Sequence, residues 1–84
     1  MNHWVLIDLY GGGVQDVCAF SNEAKAQSAY VDRVLSELTR DDSEIRELIT
    51  GQESIAIRYQ HAMDWMQSDE DQDWELQLWE VMVD

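Results

Sequence analysis

The chain has 84 residues, one cysteine, no proline, an apolar fraction of 45% and a formal net charge of −13. That length makes one domain, residues 1–84, near the lower limit for folding unaided, and a lone Cys18 excludes an internal disulfide. Eighteen acids against five bases repel nucleic acid and anionic membranes, so neither is an expected direct partner.

Residues 3–10 read His-Trp-Val-Leu-Ile-Asp-Leu-Tyr and residues 14–20 read Val-Gln-Asp-Val-Cys-Ala-Phe. Both are rich in β-formers, and Gly11-Gly12-Gly13 between them predicts a hairpin turn. On the first strand the two-residue period puts Val5, Ile7 and Leu9 on one face. Trp4, Leu6, Asp8 and Tyr10 take the other. Both faces are largely apolar, so this strand is expected to be central or covered on both sides. A three-residue turn would set Asp8 opposite Asp16, and like charges directly opposed are unfavourable. A four-residue turn pairs Val5 with Phe20 and Ile7 with Cys18, and is the expected register.

Ser21 or Asn22 caps a helix running to about residue 40, with Ala24, Val31, Val34, Leu35 and Leu38 at helical spacing. Asp41-Asp42-Ser43 breaks the pattern and can cap a short second helix carrying Ile45, Leu48 and Ile49, stopped at Gly51. Thr50 and Glu53 match a capping box. Ile55, Tyr59, Ala62, Met63 and Met66 then predict a third helix over 53–67, against a competing strand over 55–59. The tail alternates at Trp74, Leu76 and Leu78, then shifts phase to Trp79, Val81 and Val83. A strand with a bulge near Leu78-Trp79 would put both sets on one face; a helix capped by Ser68 competes with it. The order ββααβ defines an α+β fold: an N-terminal hairpin, two or three helices on one face, and a C-terminal strand completing a three-stranded sheet.

The charge is uneven. Residues 1–40 carry five acids and three bases, residues 41–58 five and two, and residues 59–84 eight acids with no Lys or Arg. The final third is therefore anionic, with His61 its one candidate cation.

Chemistry has few places to start. The glycine run is followed by a strand, not by the helix N-terminus a phosphate loop requires. Cys18 lies in an apolar strand run with no basic neighbour, which reads as a small buried hydrophobe. His3 and His61 fall in no zinc-ligand spacing. No nucleophile–base pair stands out, so neither an enzyme nor a cofactor is expected. Asp69, Asp71, Asp73 and Glu80 have a spacing that resembles the calcium loop of EF-hand proteins. That resemblance implies weak divalent-cation binding. It departs from the family at Trp74, where the family has glycine, and at the chain end, which leaves no room for an exit helix. Trp4 and Trp74 fit a core, whereas Trp65 and Trp79 are candidates for core or an exposed rim.

The expected function is a non-catalytic module that binds a basic protein surface. In size and charge the chain resembles small nucleic-acid-mimic inhibitors, a likeness of composition alone. That likeness implies a nucleic-acid-binding protein as partner. The partner-binding residues would be Asp64, Asp69, Glu70, Asp71, Asp73, Glu75 and Glu80, with Asp41, Asp42, Glu44 and Glu47 as a second patch. The alternatives are a subunit of a larger assembly, including a homo-oligomer, because a short sheet leaves edges to pair, and a weak divalent-cation (calcium-type) binding protein. The N-terminal Met1-Asn2-His3-Trp4 has no basic region, and the longest apolar run at the start is Val5-Leu6-Ile7. A cytoplasmic location is therefore expected.

Overall fold

A computed structural model describes residues 2–68 and 73–82. Strands β1 (Asn2–Tyr10) and β2 (Gly13–Phe20) form the hairpin. Helix α1 (Glu23–Glu37), a 3-10 turn (Arg40–Asp42), α2 (Ser43–Thr50) and α3 (Ile55–Ser68) follow, and β3 (Trp74–Met82) returns to the sheet. The sheet is antiparallel with order β2-β1-β3, so the apolar β1 is central as its sequence implies.

The hairpin register differs from expectation. Tyr10 pairs with Gly13 across a two-residue turn, in which Gly11 (φ 60°) and Gly12 (φ 85°) supply the left-handed backbone. A bulge at Gln15 follows, and Asp8 then stands directly opposite Asp16. The repulsion is absorbed because the two carboxylates have other partners. Asp8 takes Arg33 and the Trp74 indole, while Asp16 accepts from the Val17 backbone N–H at 3.0 Å. A one-residue slip would also have turned every β2 side chain over. The observed register pairs Trp4 with Phe20 and lays Phe20 on the core.

The second correction concerns β3. It pairs with β1 in one unbroken register from Asn2–Met82 to Tyr10–Trp74, without the expected bulge. Trp74, Leu76 and Leu78 therefore face the helices, and Trp79 and Val81 face the other way. No bulge is required, because β1 is apolar on both sides and offers neighbours to both sets.

The helices lie on one face. Asn22 caps α1 through its side chain, which accepts from the Lys25 N–H. α1 touches all three strands, α3 packs on α1, and α2 packs on α3. The buried stripe of α1 is Ala26, Tyr30, Val31 and Val34, continued by Leu38 just past its end, and Ala24 lies in solvent instead. α3 is a helix through the disputed 55–59 stretch and contributes Ala62 and Met66 to the core beside Leu6, Ile49, Trp74 and Leu76. Tyr30 meets Tyr59 edge-to-face, ring centroids 5.0 Å apart. The capping box forms at Thr39 and Asp42; Thr50 stays inside α2, its hydroxyl donating to the Arg46 carbonyl. Gly51 ends α2 with ordinary helical angles (φ −73°), and a Cβ there would sit 2.8 Å from the Glu47 carbonyl oxygen. Among the described residues no helix is long and apolar enough to cross a membrane.

Candidate functional site

The expected partner-binding carboxylates sit on several elements. Asp41 and Asp42 lie in the 3-10 turn, Glu44 and Glu47 on α2, Asp64 on α3, Asp73 just ahead of β3, and Glu75 and Glu80 within it. Asp69, Glu70 and Asp71 fall outside the described residues. All the described ones are exposed except Asp42, which is half-buried and accepts from the Thr39 N–H at 2.9 Å. Asp42 is thus tied to the local fold. Asp64 accepts from Gln60, Glu75 from Gln77 and Glu80 from Asn2, all neutral amides.

The cations go elsewhere. Arg33 pairs with Asp8, and this is the one ion pair among the described residues. Arg46 donates to the Leu35 and Leu38 carbonyls at the C-terminal end of α1. Arg58 donates to the Gln52 carbonyl. Three of the four arginines are therefore turned onto the protein's own backbone or a buried acid. Among the described residues the surface carboxylates pair with no arginine or lysine and accept from side-chain amides or a backbone N–H.

Between α3 and β3 runs a groove of about 460 Å³. Tyr30, Tyr59, Met63, Met66 and Leu78 give it an apolar lining, and Glu75, Gln77 and Trp79 border it along the β3 edge. Burial first, then the neighbouring Tyr59 and Glu75, push the Tyr30 hydroxyl well above its ordinary pKa. Burial and Glu23 raise Tyr59 in the same direction. Both phenols therefore stay neutral at physiological pH. The arrangement combines aromatic and thioether surface with nearby negative charge, suited to the alkyl stem and cationic head of Lys or Arg.

Asp8 was the residue sequence reasoning left unexplained. It is 3% exposed, and its oxygens take Arg33 and, at 2.6 Å, the Trp74 Nε1–H. The signal was present: an acid on a face with Trp4 and Leu6 needs a buried donor.

Cys18 is exposed, contrary to its reading as a buried hydrophobe, because β2 is an edge strand with nearly every side chain in solvent. Desolvation of the sulfur, then the charge and hydrogen bond of Asp16, raise its pKa. Among the described residues no three His, Cys, Asp or Glu side chains are close enough to hold a metal. Of the calcium-loop spacing, Asp69 and Asp71 lie outside the described residues, and Trp74 is buried within β3. Comparison with protein-family models, with curated proteins and with solved structures returns no match to this chain.

Proposed function

We propose that this protein is a non-catalytic interaction module whose exposed carboxylates receive a basic protein surface, in the cytoplasm. The supporting observation is that Arg33, Arg46 and Arg58 donate to Asp8 or to backbone carbonyls, while Asp41, Glu44, Glu47, Asp64, Glu75 and Glu80 are exposed. Engaged by Asp8 and by carbonyls, these three form no ion pair with the described surface carboxylates, and a negative exterior steers a positive partner. The groove beside Glu75 gives such a partner apolar anchorage. In its sharper form the reading is of a nucleic-acid mimic and inhibitor, occupying the Lys/Arg track of a nucleic-acid-binding protein.

The test is capture from a lysate of the source organism at about 50 mM salt, eluted by a gradient to about 500 mM. Two variants run in parallel, Asp41→Asn/Glu44→Gln/Glu47→Gln and Asp64→Asn/Glu75→Gln/Glu80→Gln. A basic protein that elutes within the gradient, is lost from at least one variant and is displaced by added duplex DNA or by RNA supports the mimic. A basic protein that meets the first two conditions but not displacement restricts the reading to a general acidic module. Retention throughout the gradient, or equal capture by both variants and the unaltered protein, overturns it.

A further inference from the structure

We infer that two copies of this chain associate through the sheet face opposite the helices. That face is built by cross-strand rows. Ala19, Val5 and Trp79 form one row, Val17, Ile7 and Gln77 the next, and Val14, Leu9 and Glu75 the third. His3 and Val81 close the far end. The helices cover only the opposite side. Val14 is 64% exposed, Val17 55%, Trp79 56% and Val81 41%. A three-stranded sheet with one apolar face in water is half of a sandwich, and sheets pack face to face about 10 Å apart.

Charge selects the occupant. Of the four acids in the paired strands, the rows place Glu75 on this face, and Asp8, Asp16 and Glu80 lie on the helix side by register. A basic partner has almost nothing to pair with here, whereas a second copy presents an equally neutral, apolar surface. A two-fold axis lying in the interface and perpendicular to the strands reverses the rows. Glu75 of one copy then approaches the row that holds His3 of the second, at both ends alike. The shape fits too. The chain measures 44 × 33 × 17 Å, a two-layer slab, and pairing makes it four layers, helix–sheet–sheet–helix. The acidic helices then point outward on both sides. The face shares Glu75 and Trp79, at the β3 edge, with the groove between α3 and β3; it does not use the helix-layer carboxylates, and the pairing stands without the basic-partner reading.

Salt separates the two. Bringing together copies of like charge is opposed by repulsion that salt screens, so self-association strengthens with salt, while capture of a basic partner weakens. Sedimentation equilibrium over about 1–200 μM protein, at roughly 0.1 and 0.5 M NaCl, reads it directly. The expected result is twice the monomer mass, favoured at the higher salt. Trp79→Glu and, independently, Val17→Lys each weaken association by at least about thirtyfold with an unchanged far-ultraviolet spectrum. Glu44→Lys on the helix layer leaves the dimer in place. A monomer at 200 μM in 0.5 M NaCl overturns the inference. So does a dimer that survives both face substitutions, because edge pairing through β2 or β3 would then be holding it.

Discussion

Asp8 lies within β1 at the foot of the helix layer, and two donors from distant parts of the chain converge on it. Arg33 comes from α1 and Trp74 from the first residue of β3, so one carboxylate ties the central strand to a helix and to the edge strand. Arg33 remains 39% exposed at its side chain, so the pair is only half withdrawn from water. Removing the acid leaves a buried indole N–H and a partly buried guanidinium without their acceptor, a loss of about 2–4 kcal/mol. Asp8→Ala is expected to lower the urea midpoint accordingly, with the slope unchanged. A loss below about 1 kcal/mol would show that water replaces the carboxylate without penalty. The acid was legible in the sequence as an anomaly on an apolar face. Its partners were not, because Arg33 is 25 residues away and Trp74 is 66, and no local periodicity spans such distances. Cys18 failed for a related reason: a strand's composition does not say whether it lies at an edge.

At the scale of elements, the sequence was most informative where one side of an element is fixed by burial. Asn22, Val31, Val34 and Leu38 defined α1 correctly, and Ile55 to Met66 defined α3. It was least informative where two pairings differ by one residue. The Asp8–Asp16 opposition misled because strands were weighed as an isolated pair, while the deciding contacts come from α1 and β3. The β3 bulge was inferred to serve a single apolar face, and the sheet has two. The α1–α3 contact carries a pH dependence. Tyr30 is 2% exposed against Tyr59, and its pKa is raised above that of an unfolded tyrosine. A raised value means the native state holds the proton more tightly. That stability is complete below about pH 10, the unfolded value, and is lost as pH climbs from there toward the folded value. Thermal unfolding followed from pH 8 to 11 is expected to show a steep alkaline fall in Tm. Tyr30→Phe, which keeps the ring, is expected to move that fall to higher pH. An identical alkaline fall in the variant would assign it to other groups.

For the whole molecule the governing quantity is a net charge of −13 on 84 residues. With three arginines committed to interior or backbone acceptors, the surface has few cations to offset its carboxylates. Like charges repel more in the folded slab than in the expanded chain, so screening favours folding. Tm is therefore expected to rise by several degrees between about 10 mM and 0.5 M NaCl. Two mechanisms contribute to that rise, and they can be separated. Screening of self-repulsion acts within one copy and is independent of protein concentration. Association through the open sheet face stabilises by mass action and grows with concentration. Trp79→Glu removes the second and leaves the first, so its Tm should rise with salt yet stay flat with concentration. The unaltered chain should respond to both. A Tm that ignores salt at every concentration would mean that the carboxylates are already neutralised within the fold. The outward negative charge proposed as the basis of partner binding would then be absent.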